Sequence, residues 1–364
     1  MTRQTSSRNK LTWTIAGLLV LTVCTSAAFA RGNSEANDPG DEIIATVDGV
    51  PITVQEFKRA IQINKPRVMN YFHERYGAEQ VSSFWTTSIG GEVPLDKLQK
   101  AAFDESVDIK VRQMVAKEQG VLGDISYRDF LKQLEQENER RAKATAKGQV
   151  IYGPIQYNEE AYFAYIMTNA ATTVKQKLEE KLRPDEVTLK SFYDQHKKEL
   201  YAHPGEVKVS IISLSYLDST QHIDQDKKEQ AYKQLKEAET KLAAGVSFAK
   251  IAKSYSDPGT EQELIIHLGN VRQNSRSPVA RAAESMEPGE TSGIIDENGR
   301  LYILDCIAKT EPGTAYRSYD EIREQVRKDF IDSKYEEMIC HKLSKAVVEV
   351  DQDLLNSLQS FESF

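Results

Sequence analysis

The sequence predicts an α+β protein: a helical domain assembled from both ends of the chain, with a compact α+β domain inserted between them. Three observations predict it. From residue 53 to about residue 200 the apolar residues recur at three- and four-residue spacing, the period of helices with one buried face. From Pro204-Gly205 to Pro312-Gly313 the pattern changes to short β-branched strands separated by small helices. From 316 to 345 a single charged helix returns, with Tyr319, Ile322, Val326, Phe330, Met338 and Leu343 as its apolar stripe. A lone helix cannot bury its own stripe, so this one is expected to pack back on the N-terminal helices.

The elements follow in order. Ile43 to Ile52 reads as two short strands around Asp48-Gly49, a strong hairpin signal. Thr53-Val54-Gln55-Glu56 is a capping box, in which hydroxyl and carboxylate each satisfy the other residue's amide. Phe57 and Ile61 share one face of the helix it opens. Leu95 to Val115 and Tyr127 to Leu134 continue the helical spacing, the second segment after Ser126 as its cap. Residues 135–149 are polar with charges of both signs, a solvated helix end and loop. Tyr152, Tyr157, Tyr162, Phe163 and Tyr165 form an aromatic-rich stretch, expected to pack the N-terminal core, with a cradle for unfolded chains as the alternative. Pro184 ends the helix carrying Val174, Leu178 and Leu182, and Thr188 opens a short helix to Leu200.

After Gly205, residues 207–214 read as a strand and 227–243 as a helix with Ala231, Leu235, Ala238 and Leu242 on one stripe. Short helices follow at 248–252 and 278–286, then a turn at 296–299 between two strands. The order is β-α-α-α-β-β over 205–312, an ordinary domain size. The helical domain is assigned 42–203, the C-terminal helix 316–345, and 346–364 a tail.

The N-terminus is read as an export signal. Arg3, Arg8 and Lys10 precede an apolar run from Leu11 to Val23, and Ala28-Phe29-Ala30 is a small-x-small cleavage pattern. Residues 1–30 are thus a signal peptide and 31–41 a flexible lead-in. An uncleaved membrane anchor is a second reading of the run, which is short for a full span. Lipid attachment at Cys24 is a third, opposed by Val23 where a small residue is usual. Cleavage removes three basic and no acidic residues, taking the formal charge from −8 to −11. That excludes a nucleic-acid binder that works through phosphate contacts. Cys306 and Cys340 remain; export permits a disulfide, but with no CxxC spacing buried free thiols are the simpler expectation.

Several groups of residues together resemble the SurA/PrsA type of extracytoplasmic folding factor. Ala45-Thr46-Val47-Asp48-Gly49 with Pro51-Ile52-Thr53 and Glu56-Phe57 resembles its opening, and Val187 to Tyr193 the helix leading into its parvulin domain. Gly245-Val246-Ser247-Phe248-Ala249-Lys250-Ile251-Ala252, then Tyr255-Ser256, is similar to the parvulin signature G-x-S-F-x-x-L-A-x-x-Y-S. Leu268-Gly269, Pro288-Gly289-Glu290, Gly299 and Tyr302-Ile303-Leu304 continue it in order. The resemblance spans most of 42–345 and is weakest over 65–150. It implies a helical chaperone domain plus a parvulin-like domain, and peptidyl-prolyl cis-trans isomerisation as the family activity. That reaction has a barrier near ~20 kcal/mol and needs a site that favours the twisted amide.

The departures are specific. The resemblance places the family's two histidines at Ile211 and Tyr302, its pocket phenylalanine at Val279, and retains Leu268. Ile211, Leu268 and Tyr302 are therefore the family-position catalytic candidates, and Phe248, Leu268 and Val279 the binding candidates. His222 and His267 stand off the family positions and read as ordinary satisfied histidines. The implied function is a folding factor that binds unfolded or nascent exported polypeptides. A working isomerase with an altered centre and a structural envelope assembly protein are the alternatives. No phosphate loop, G-x-S-x-G or HExxH occurs; no cofactor, metal or nucleic acid is expected, and membrane contact only through the N-terminus.

Overall fold

The structure, a computed structural model, describes residues 42–358. The signal peptide and lead-in of the sequence reading, and residues 359–364, lie outside the described residues. Internal contacts divide the chain into two compact units: residues up to Arg183 together with Asp329 onward, and Pro184–Lys328. The fold is α+β.

In the first unit β1 (Ile43–Val47) and β2 (Val50–Thr53) form the hairpin. Its turn residues Asp48 and Gly49 both have positive φ, 48° and 77°, the geometry that matches strand twist in a two-residue hairpin. Helix α1 (Val54–Tyr76) follows, with both arms of the capping box formed. The Glu56 carboxylate accepts from the Thr53 amide at 2.8 Å and also pairs with Lys110 Nζ at 2.7 Å, both side chains buried. Lys110 lies on α2 (Pro94–Glu118), followed by α3 (Tyr127–Ala146) and α4 (Glu159–Leu182). The core gathers Phe57, Ile61 and Phe72 of α1 with Leu98 and Val111 of α2.

The second unit opens with α5 (Glu186–Leu200), then β3 (Glu206–Ser215), α6 (Gln225–Ala243) and α7 (Phe248–Tyr255). Next come β4 (Glu263–His267), α8 (Val271–Asn274), α9 (Pro278–Ser285), β5 (Ile295–Glu297) and β6 (Arg300–Thr310). The strands form one antiparallel sheet in the order β4-β3-β6-β5. Alternation along the central strands separates two apolar faces. Ile212, Leu214, Leu301 and Ile303 pack with α6 and α7, while Val207, Val209, Ile211 and Leu304 pack with α9. Strand β4 is absent from the sequence reading. Its Leu264-Ile265-Ile266 is an unbroken apolar run, although Leu264 and Ile266 turn inward and Ile265 outward.

The chain re-enters the first unit within α10 (Tyr319–Leu343), which is kinked at Ile322. Tyr335 and Ile339 of its later turns join the first unit's core. Strand β7 (Val348–Val350) pairs with β1, and α11 (Gln352–Ser357) follows. The expectation of a tail from 346 is therefore corrected. Val348 and Val350 flank Glu349 in period-two alternation, and Val348 is buried against the hairpin.

The division at 183/184 also differs from the expected boundary at 203/205. Tyr193 explains why α5 goes with the second unit. Its hydroxyl donates to the Arg317 carbonyl at 2.7 Å, and its ring stacks on Tyr201 and meets Tyr319 edge-on. A bridge pairs Ala202 with Tyr316, and Glu186 pairs with Arg323. The segment 184–328 expressed alone should therefore unfold cooperatively. The shorter span 205–312 should melt roughly 5 °C or more lower, given several lost hydrogen bonds, an ion pair and the aromatic contacts. Equal midpoints in thermal unfolding would contradict this placement of α5.

Candidate functional site

The candidate residues are positioned by the α9-covered face of the second unit's sheet. Ile211 sits on β3, 4% exposed, opposite Leu304 of β6. Tyr302 lies on β6 between its register partners Ser213 and Ile295 and is half-buried. Leu268 follows β4, its amide donating to the Gly205 carbonyl at 3.0 Å. Gly205 has φ of 83°, and a Cβ there would lie 2.9 Å from the Pro312 nitrogen, so only glycine fits where the two ends of the inserted unit cross. Val279 is the second residue of α9 on the same face; its amide and the Ser277 hydroxyl both donate to Glu297 Oε2 at 2.8 Å.

Ile211, Leu268, Val279 and Tyr302 thus share one apolar cluster, with Met286 and Cys306. Phe248 does not join them. It packs on the opposite sheet face with Leu235, Ile251 and Leu301, apart from Leu268 and Val279. The signature around it holds the domain together. Phe248 opens α7, Ser256 Oγ accepts from the Ser213 amide at 3.3 Å, and Asp257 Oδ2 accepts from the Ser215 amide at 2.7 Å and from Arg300 at 2.9 Å. Phe248→Ala should therefore lower the stability of this unit by about 1–3 kcal/mol and leave unchanged, below the transition, whatever peptide affinity the α9-covered face has. Denaturant titration beside peptide anisotropy checks this; lost binding with unchanged stability would overturn it.

The face is chemically sparse. Burial raises the Tyr302 hydroxyl above its ordinary range, so it is neutral near pH 7. Burial likewise raises the Cys306 thiol, which is free, as is Cys340. Asn274, absent from the sequence reading, is buried at the rim and donates from Nδ2 to the His267 carbonyl and to Glu284 Oε1 at 3.0 and 2.7 Å. An asparagine in a polar stretch carries no pattern that could have marked it. The histidines stand elsewhere: His267 is exposed with Nδ1 3.6 Å from Glu206, and His222 contacts the Thr220 hydroxyl in an exposed turn. Among the described residues, no group of three or more His, Cys, Asp or Glu could hold a metal ion, and no helix is long and apolar enough to cross a membrane. The arrangement can bury apolar side chains beside the neutral Tyr302 hydroxyl, next to which the buried Ser213 hydroxyl accepts from Arg300 Nε at 2.9 Å. It offers no imidazole to an amide.

The second unit is thus a four-stranded antiparallel sheet with two helices on one face and a short capped helix on the other. Residues 184–324 match the PPIC-type PPIase domain, beginning at the residue where the internal contacts divide the chain. Residues 184–324 of this chain therefore form a PPIC-type PPIase domain. No curated protein matches the sequence. Among solved structures, one of two SurA-like chaperones from Campylobacter jejuni is 14% identical, with 85% of this chain and 99% of that chain covered at a TM-score of 0.33. The peptidylprolyl isomerase PrsA of Bacillus cereus is 20% identical, covering 78% and 99% at 0.26. PrsA of Bacillus anthracis is 16% identical, covering 65% and 95% at 0.23. At these values the domain match carries the assignment.

Proposed function

We propose that this chain is an extracytoplasmic folding factor whose parvulin-type domain holds unfolded exported polypeptides while isomerising X-Pro bonds weakly or not at all. The observation that carries the reading is the pair Ile211 and Tyr302, on the shared sheet face at the two positions where the resemblance places histidines. An isoleucine has no donor or acceptor, and a neutral tyrosine hydroxyl cannot replace an imidazole pair. The apolar wall of Leu268, Val279 and Met286 needs neither histidine to bury a side chain. The basic, apolar and small-x-small order of residues 1–30 supports export, and the net negative charge supports a surface that stays off anionic membranes.

Aggregation of a reduced, unfolded client should slow at equimolar amounts of this protein. A client that aggregates at the same rate with and without it would remove the chaperone reading and leave a structural envelope role. The exported form should begin near Arg31 by N-terminal sequencing; a chain retaining Met1 would instead support an anchor.

A further inference from the structure

The aromatic-rich stretch divides in two. Tyr157, Tyr162 and Phe163 are buried with Phe130 in a small cluster between α3 and α4, as the packing expectation required of them. The loop that precedes them is the opposite case. Val150 is 81% exposed, Tyr152 87% and Ile155 67%, and nearby Tyr165 of α4 is 48% exposed.

A loose loop would hold apolar residues this way at little cost, but this one is fastened from beneath. Arg141 of α3 is buried, and its Nη1 donates to the carbonyls of Tyr152 at 3.0 Å and Pro154 at 2.6 Å. Asn138 and Tyr157 exchange a reciprocal pair of hydrogen bonds, at 2.9 and 2.8 Å. Gly148 and Gly153 take positive φ of 66° and 87° at the bends. Tyr165 in turn stacks on Tyr157 and Tyr162, with ring centroids 5.7 and 6.3 Å apart. Backbone and platform are fixed while the aliphatic and aromatic side chains face water. Fixing an element before its partner arrives removes part of the ordering cost of binding.

Charge selects the partner. Between Glu139 and Glu159 the sequence holds no acidic residue and carries Arg140, Arg141, Lys143 and Lys147, in a chain of net charge −8. Glu137 pairs with both arginines and Glu139 with Lys143, while Lys147 is exposed and makes no ion pair among the described residues. The exposed Lys147 ammonium thus borders the apolar loop, in a segment 140–158 that carries four basic residues and no acidic one. A broad anionic bilayer would face the negative charge of the whole chain, whereas a single extended strand meets only the local segment 140–158.

We propose that the loop 148–157, with Tyr165, is a docking surface for extended polypeptide segments in which aliphatic or aromatic side chains alternate with carboxylates. It deepens the folding-factor reading and rests on it, adding a capture site separate from the parvulin-type domain.

The test uses the full chain and fluorescein-labelled short peptides: one of Leu, Phe and Val interspersed with Asp and Glu, and a second with those acids replaced by Asn and Gln. The acidic peptide should bind, and the double variant Tyr152→Ser/Ile155→Ser should weaken it about tenfold or more, the scale for losing two buried apolar contacts. Lys147→Glu should weaken the acidic peptide about threefold or more while sparing the neutral one, and high salt should erase that difference. Thermal midpoints of both variants should match the parent, because the replaced side chains are exposed. Unchanged peptide affinity in the double variant, equal affinity for the two peptides, or binding to phosphatidylglycerol vesicles without peptide binding would each overturn the proposal. If aggregation suppression persists while the double variant binds peptide normally, the docking surface fails and the folding-factor reading stands. If variant-sensitive peptide binding occurs without suppression, the reverse holds.

Discussion

Lys110→Ala should lower the stability of the helical unit by about 3–5 kcal/mol, the usual cost of stranding a buried charge. Lys110 and Glu56 are 1% and 7% exposed, and their side chains meet at 2.7 Å. Without the ammonium, the buried Glu56 carboxylate keeps only Arg59 as a nearby cation, or turns away and breaks the capping box that starts α1. Each route weakens the same place, because the Glu56 carboxylate also accepts from the Thr53 amide. The double replacement Lys110→Met/Glu56→Gln should recover most of the loss. It removes both charges, and a glutamine oxygen still reaches the Thr53 amide. Denaturant unfolding of the parent and the two variants checks this. A single variant within about 1 kcal/mol of the parent would show that water or another group solvates Glu56.

The larger expected effect concerns catalysis. Prolyl isomerisation needs a site that favours the twisted amide over both planar forms. Removing one positioned polar group from a catalytic centre commonly costs factors of about 10²–10³. On the proposed reading, Ile211 stands where the resemblance places one histidine, and a half-buried, neutral Tyr302 where it places the other. The deficit relative to an active parvulin should therefore reach about 10² or more, even with Tyr302 supplying one hydrogen bond. Tyr302→Phe should lower any residual rate further and leave apolar peptide binding within about twofold, since the ring remains.

Local chemistry made much of the fold legible. The Asp48-Gly49 turn, the capping box at Thr53 and Glu56, the stripe of α6 and the β-branched run of β3 each carry their structure in adjacent residues. What the sequence hid depends on distant partners. Strand β4 lacks alternation because Leu264-Ile265-Ile266 is apolar throughout, and β7 is three residues long and finds its partner in β1 at the other end of the chain. Helix α5 reads as part of the helical domain because helical periodicity does not say what a helix packs against. Only Tyr193, Tyr201 and Tyr319 show that. The candidate site divides on the same principle. Strand parity puts Ile211 and Tyr302 on one face, and the order of the signature brings Leu268 and Val279 to it. The place of Phe248 on the other face follows from the path of α7, which no local pattern encodes.

The most direct test of the central claim compares two activities of the full chain in one buffer. One is isomerisation of a short X-Pro peptide followed without a coupled protease, and the other is suppression of aggregation of an unfolded client. The account predicts an isomerisation rate about 10² or more below that of an active parvulin at equal concentration, with aggregation clearly slowed. A rate matching the active parvulin would contradict it, and would mean that Tyr302 and its neighbours form a working centre without histidine.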